Sequence, residues 1–214
     1  MIVTSNILNS KPITSKFFSF KDLGTVSVDD GQLAESELLN NHSPGNVDLL
    51  IYSRDSPVVS VGKFSDLSDV IGYSHRIVRR ISGGSSIFSD KTQIVYAMVF
   101  DRNSVESKED AYAVACGLVV KVLNHLGIDA KYKSPNDVVV NGYKISGSAQ
   151  YRDGSVVMVH GSLILSNEGE IQKHIFMKTG DYKGVISVRT LNDKIKREDV
   201  SKAFVRIYLD LFLL

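Results

Sequence analysis

Cysteine and excess charge are both scarce in this sequence. Cys116 is the only cysteine among 214 residues, which excludes an internal disulfide framework and indicates a reducing compartment, with the cytoplasm as the expected location. The formal net charge is +1, so the chain lacks the broad cationic field typical of proteins that bind duplex nucleic acid, and we expect no nucleic-acid partner. Small ligands and other proteins remain as candidates.

Long apolar runs are missing as well. None approaches the ~20 residues that a membrane-spanning helix needs, and residues 1–6 lack the charged and apolar regions of a secretory signal. There are also no repeats, low-complexity tracts or flexible linkers that would divide the chain. With 43% hydrophobic and 23% charged residues, the composition predicts one ordered domain over residues 1–214, with no membrane partner.

Hydrophobic periodicity predicts both helices and strands. Helical spacing occurs at residues 29–39, 108–126 and 197–213, and in the first of these the apolar positions are Leu33, Ala34, Leu38 and Leu39. Apolar and β-branched runs predict strands at 49–52, 57–61, 77–78, 93–100, 138–140, 143–145 and 156–159. Asn141-Gly142 is a strong hairpin signal. This mixture predicts an α+β (mixed α/β) fold.

Two segments carry the chemistry expected around anions. In residues 136–150, Lys144 lies among small residues that let the backbone approach a ligand. Upstream, residues 79–84 combine the two guanidinium groups of Arg79 and Arg80 with a Ser-Gly-Gly turn, and such groups bind phosphate and carboxylate oxygens. Together the two segments indicate a site that uses a nucleotide or transfers an acyl group.

Four motifs resemble, in order, those of lipoate-protein ligases, within the biotin/lipoate ligase and transferase superfamily. They are Arg-Arg-Ile-Ser-Gly-Gly at 79–84, Pro-Asn-Asp-Val at 135–138, Lys-Ile-Ser-Gly-Ser-Ala-Gln at 144–150 and His-Gly-Ser-Leu at 160–163. The resemblance covers roughly residues 29–192. It implies a mixed, largely antiparallel sheet flanked by helices, related to the catalytic core of class II aminoacyl-tRNA synthetases and biotin ligases.

The resemblance also implies a reaction in two steps. A lipoate carboxylate attacks the α-phosphate of ATP to give lipoyl-AMP, and a lysine of an acceptor domain then attacks the activated carbonyl. Such a site needs no enzyme nucleophile but must hold two anions together. By this likeness Lys144 is the catalytic cation, Asp137 helps to hold Mg²⁺, and Asn136 fixes the loop or contacts a ligand.

The remaining binding residues follow from the same likeness. Only one of Arg79 and Arg80 is expected to enter the site, because adjacent strand residues face opposite ways, and the sequence does not choose between them. For His160 a structural role is as compatible with the sequence as a binding role. The other implied residues, on the two walls of the pocket, are Ser82, Gly83, Gly84, Gly147, Ser148, Ala149 and Gly161.

Two alternatives to a ligase stay open. Octanoyl and lipoyl transferases of the superfamily hold the acyl group on a cysteine, whereas Cys116 falls within the predicted helix at 108–126 and is expected to be a small buried thiol. The family also places a third glycine and a histidine where this chain has Ser85 and Ser89. That departure is compatible with an altered acyl preference or with a member that binds without catalysing.

Partners are implied by the resemblance and by the length. Lipoyl-acceptor domains are the expected protein substrates. Single-chain lipoate ligases commonly carry an accessory domain beyond the catalytic one, whereas this sequence stops at Leu214. We therefore expect no accessory C-terminal domain in this chain, and a separate accessory subunit as a further partner.

Overall fold

A computed structural model describes residues 18–70, 74–167 and 182–212. The strands are β1 (Phe18–Val26), β2 (Val47–Arg54), β3 (Val58–Val61), β4 (Arg76–Arg79), β5 (Ile87–Ser89), β6 (Gln93–Asp101), β7 (Lys131–Lys133), β8 (Asp137–Val140), β9 (Tyr143–Asp153) and β10 (Val156–Ile164). The α-helices are α1 (Val28–Asn40), α2 (Lys108–His125), α3 (Val188–Leu191) and α4 (Arg197–Phe212). Among the helices in these ranges, none combines the length and the hydrophobicity that a membrane span requires.

The strands form two sheets. The larger has seven strands in the order β1-β2-β6-β10-β9-β8-β7; β1 and β2 run parallel, and all other neighbouring pairs are antiparallel. The smaller has the order β4-β3-β5, with β3 parallel to β4 and antiparallel to β5. This arrangement confirms the predicted α+β fold with a mixed, largely antiparallel sheet.

Helices cover both faces of the large sheet. On one face, alternate residues of β2 and β6, such as Leu49 and Met98, pack with α2 and α4 into the main hydrophobic core. On the other face, Leu50 and Ala97 pack under the apolar side chains of α1. Because side chains alternate along a strand, the residues on the two faces of the sheet belong to separate hydrophobic clusters. The face that carries α1 also carries the candidate site.

The predicted helices are confirmed, and of the apolar positions expected on α1, Ala34, Leu38 and Leu39 pack against the sheet while Leu33 does not. The buried residues of α1 are Val28, Gly31 and Glu35, at helical spacing, whereas Leu33 is 58% exposed. Gly31 is needed because a Cβ there would lie 2.5 Å from the ring of Tyr52. An aromatic ring packed against α1 therefore determines which stripe turns inward.

Local signals at the ends of elements explain two further boundaries. Ser107 caps the start of α2, since its hydroxyl accepts from the Asp110 backbone and the Asp110 carboxylate accepts from the Ser107 backbone. Asn141 and Gly142 both have positive φ, at 52° and 85°, as the predicted β8–β9 hairpin requires. The helix predicted at 197–213 ends at Phe212, and residues 1–6 and 213 lie outside the described part of the chain.

Candidate functional site

A cavity of about 200 Å³ opens between the small sheet and the α1 face of the large sheet. Its walls come from α1, the end of β2, the segment at 80–89, β6, β9 and β10, with Val185 beside them. The cavity therefore brings together residues from along most of the described chain. Of the residues predicted to form the site, it contains Arg80, Gly84, Asn136, Lys144, Gly147, Ser148, Ala149, His160 and Gly161.

Lys144 projects from β9 and is held at the cavity wall. Its Nζ lies 2.7 Å from Oδ1 of Asp137 on β8, and the side chains are 31% and 8% exposed. Its backbone N–H donates to Gly184, so a neighbouring segment fixes the strand at this point. A Cβ on Gly147 would lie 2.7 Å from Lys144 Cε, so a larger residue here would displace the ammonium group from its present position.

Asp137 lies beside the cavity but does not line it. Its second carboxylate oxygen accepts a hydrogen bond from the Tyr182 hydroxyl. Within the described ranges, no cluster of three or more His, Cys, Asp or Glu side chains could hold a metal ion. Nucleotide-bound Mg²⁺ usually has only one or two protein carboxylates and the substrate's phosphates as ligands, so one carboxylate here fits a metal carried by a nucleotide. A role for Asp137 in holding Mg²⁺ stays a prediction.

Arg80 is the arginine of the pair that lines the cavity. Burial lowers the pKa of its guanidinium to about 10, so it stays charged at neutral pH. It donates to the carbonyls of Ser60, Gly83 and Ser85, at 2.9, 2.7 and 2.7 Å. These bonds fix the shape of residues 82–85, which we call the glycine segment. Arg79 points away and donates to the backbone at residues 62, 63 and 65.

A buried relay of hydrogen bonds runs behind the cavity. His160 Nδ1 lies 2.8 Å from Glu35 Oε2, and its Nε2 lies 2.5 Å from Ser82 Oγ. Tyr52 donates to the other Glu35 oxygen at 2.9 Å, and Arg80 Nε donates to Ser82 Oγ at 3.0 Å. With a hydrogen on Nδ1, His160 donates to Glu35, and the Ser82 hydroxyl shares a hydrogen bond with Nε2 while it accepts from Arg80.

Glu35 keeps its charge inside this relay. Burial by itself raises the pKa of the carboxyl, but the charge and hydrogen bond of His160, the attraction to Arg54 and the Tyr52 hydroxyl outweigh it, and the pKa lies below its usual value. Ser82 is therefore buried in the relay instead of forming the cavity wall. The carbonyl of Gly83 accepts a hydrogen bond from Arg80. His160 makes structural contacts and also lines the cavity, and its role in binding stays a prediction.

The wall opposite the glycine segment depends on close backbone packing. Asn136 donates through its amide to the Ser148 carbonyl, and the Ser148 hydroxyl donates back to the Asn136 carbonyl at 3.0 Å. A Cβ on Gly161 would lie 2.5 Å from both the Gly147 carbonyl oxygen and the Tyr96 hydroxyl. These contacts explain why small residues occur at these positions.

Several residues of the cavity were not predicted from the sequence. They are Glu35 and Gln32 on α1, Arg54 at the end of β2, Ser86 just before β5, and Gln93 on β6. A signal for Glu35 existed, because a carboxylate shares the helical stripe of Val28 and Gly31. Arg54 closes a strand in which every residue is buried, and a buried arginine at such a position is unusual enough to indicate a site.

Cys116 is a buried thiol, as predicted. It lies within α2 with no exposed surface, and its Sγ is 3.6 Å from the Ser148 hydroxyl. Burial raises the pKa of the thiol to about 12. Since the thiolate is the reactive form of cysteine, Cys116 is a poor nucleophile at neutral pH.

This fold is that of the biotin and lipoate protein ligases. A bi-partite lipoate protein ligase from Thermoplasma acidophilum superposes with a TM-score of 0.73 at 19% identity, over 93% of this chain and 84% of that one. A lipoate-protein ligase A solved with bound ATP gives 0.71 at 15% identity, over 92% and 85% of the two chains. At such identities the likeness establishes the fold.

The sequence places the chain within one branch of that class. Residues 31–207 match the lipoyl protein ligase A/B catalytic domain, and the chain belongs to this family. A probable lipoate-protein ligase A of Mycoplasma pneumoniae is 28% identical over 81% of this chain and 50% of its own length. The octanoyltransferase LipM of Geobacillus kaustophilus is 25% identical over 77% and 71%. The chain thus spans half the length of the first of these relatives.

Proposed function

We propose that this chain is the catalytic part of an ATP-dependent lipoate-protein ligase. The observation that carries the proposal is a cavity in which the ammonium group of Lys144 lies among small residues, while Cys116 is buried outside its lining. An adenylating ligase needs a cation at the reacting oxygens and needs no enzyme nucleophile. The family and the ATP-bound structural neighbour support the same choice.

In the first step, a carboxylate oxygen of lipoate bonds to the α-phosphorus of ATP and pyrophosphate leaves. Lys144 neutralises the carboxylate and the α-phosphate, which would otherwise repel each other, and the backbone around Gly147 allows both to come close. Arg80 keeps the glycine segment folded over the reacting groups through its bonds to Gly83 and Ser85. Asp137 would hold Mg²⁺, which supplies further positive charge to the phosphates.

In the second step, the amine of an acceptor lysine attacks the acyl carbonyl and AMP leaves. Lys144 is then placed to stabilise the negative charge that develops on the carbonyl oxygen. We propose lipoyl domains as the acceptors, in keeping with the Thermoplasma acidophilum neighbour, which was solved as a bi-partite ligase with its E2 lipoyl domain. A separate accessory subunit and a cytoplasmic location belong to the same proposal.

Incubation with an acceptor domain tests the ligase. With ATP, Mg²⁺ and lipoate, the mass of a lipoyl domain should rise by one lipoyl group, and AMP and pyrophosphate should appear in equal amounts. Omission of ATP should abolish the mass change. If lipoate is bound but no AMP or product forms, with and without a candidate accessory subunit, the chain is a binding protein and the ligase proposal is wrong.

The likeness to LipM favours one alternative, an octanoyltransferase. Such an enzyme would carry the acyl group on Cys116, the only cysteine. Because this thiol is buried and its pKa is raised to about 12, we expect Cys116→Ser to keep near-normal rates of acyl transfer. Mass spectrometry should detect no thioester on the wild-type protein after incubation with an acylated carrier domain. Loss of transfer in this variant, at unchanged thermal stability, would instead support the transferase.

A further inference from the structure

Tyr182 belongs to the surroundings of Lys144, although no motif of the sequence indicated it. Its hydroxyl donates to Oδ2 of Asp137, and the other carboxylate oxygen of Asp137 lies 2.7 Å from Lys144 Nζ. The centroid of the Tyr182 ring lies 5.8 Å from the same Nζ. Tyr182 is absent from the described residues that line the cavity, so we expect it to influence a ligand through these two neighbours.

Both oxygens of the Asp137 carboxylate are in contact with another group. One meets the Lys144 ammonium group and the other meets the Tyr182 hydroxyl, and the side chain is only 8% exposed. The terminal torsion of aspartate has broad minima, so a carboxylate with a single contact can turn. The second contact, from Tyr182, therefore restricts the position at which Lys144 finds its partner.

The segment that carries Tyr182 also holds the backbone of Lys144. The Lys144 N–H donates to the carbonyl of Gly184 at 3.0 Å, and the N–H of Ile186 donates to the Lys144 carbonyl at 2.9 Å. Between these two residues, Val185 forms a parallel bridge with Lys144 and lines the cavity. Tyr182 thus anchors one end of a short stretch along β9, because its hydroxyl is bound to β8.

We propose that Tyr182 is a positioning residue for the adenylation step: it holds Asp137 and the stretch beside β9, and through them the ammonium group of Lys144. The inference rests on the proposed ligase reaction and adds a residue to it. Tyr182 acts without touching the reacting atoms. A lysine that contacts a carboxylate and a phosphate together is sensitive to its position, since a displacement of about 1 Å can cost ~10²-fold in rate.

Replacement of Tyr182 by phenylalanine tests the role of the hydroxyl. The ring remains, and with it the contact to Lys133, whose Nζ lies 3.8 Å from the ring centroid. Exchange of labelled pyrophosphate into ATP, with lipoate as the acid, reports adenylation. We expect kcat and kcat/KM for lipoate to fall equally, by ~10-fold, the lower end of the effects of residues that orient a functional group from behind.

A matched control is Tyr151→Phe. Tyr151 also lies next to the cavity strands, on β9, and its hydroxyl donates to a carboxylate, that of Asp153, at 3.1 Å. This pair is exposed, and neither residue is among the described lining of the cavity. The same change of tyrosine to phenylalanine should therefore leave kcat and KM at their wild-type values.

A double variant shows whether Tyr182 acts through Lys144. In the Lys144→Ala background there is no ammonium group to position, so Tyr182→Phe should cause no further loss of exchange. A loss that acted through general instability, or through the Mg²⁺ that Asp137 is proposed to hold, would instead lower the rate in both backgrounds. Either that additive result or an unchanged rate in the single variant would show the proposal to be wrong.

A measurement that needs no activity separates this proposal from the ligase itself. Hydrogen exchange of the Lys144 backbone amide, followed by NMR, should be ~5-fold faster in Tyr182→Phe, the scale of one lost hydrogen bond, while the amides of β10 keep their wild-type rates. Faster amide exchange in a chain without pyrophosphate exchange would remove the ligase and leave Tyr182 holding Lys144. An unchanged Lys144 amide would contradict this role of Tyr182, whatever the activity.

Discussion

Replacement of Lys144 by alanine is expected to lower the rate of acyl-adenylate formation by ~10²-fold or more, the typical effect of removing one electrostatic interaction that stabilises a transition state. Lys144 is the cation of β9 at the cavity wall, and its ammonium group is 2.7 Å from Asp137. Without it, the carboxylate and the α-phosphate repel each other, and Asp137 adds a third negative charge. Pyrophosphate exchange at saturating ATP and acid measures the effect.

The control for this variant is Lys131→Ala. Lys131 is 75% exposed and lies 3.7 Å from Asp129, also at the surface, so its removal should leave the exchange rate unchanged. Thermal unfolding of both variants shows whether the fold is intact. Exchange at near wild-type rates in folded Lys144→Ala would remove this residue from its catalytic role.

Replacement of His160 by leucine is expected to lower the free energy of unfolding by about 3 kcal/mol or more, the cost of leaving a buried charge without its partner. The reason is Glu35, a carboxylate 7% exposed that would lose its partner at 2.8 Å. Ser82 would also lose the acceptor of its hydroxyl. Denaturant unfolding near neutral pH measures the change.

A second substitution identifies the cause. Glu35→Gln removes the charge but keeps the shape and the contact with Tyr52, so in the His160→Leu background it should recover part of the stability. If the single and double variants reduce stability additively, the two side chains do not act as a pair. A decrease below about 1 kcal/mol in His160→Leu would mean that the relay contributes little, because typical neutral hydrogen bonds are of that size.

Much of the fold could be predicted because its signals are local. The stripe of α2 and the Asn141-Gly142 turn depend on side-chain period and on backbone φ, which neighbouring residues determine. The burial of Gly31 and Glu35 on α1 was harder to predict. It depends on the ring of Tyr52 packing over Gly31, a contact between separate elements that no helical period contains.

The site was predictable only where its residues fall in short motifs. Lys144, Gly147 and Gly161 line the cavity as their motifs indicated. The sequence could not show that Arg80 and not Arg79 lines the cavity, because the two are adjacent at the end of β4 and differ only in what surrounds them. The place of Arg54 in the cavity lining was equally hidden, because Arg54 belongs to no motif.

The sequence by itself determined the family, the three long helices, seven of the ten described strands and a cation between small residues, since each is written in neighbouring positions. The tertiary structure decided which groups share one cavity and which donors are already occupied. His160 meets Glu35 and Ser82 across 125 and 78 positions of chain, and among the described residues Arg54 has two buried nitrogens without a hydrogen-bond partner. Such pairings depend on the packing of whole sheets and helices, which no local pattern specifies.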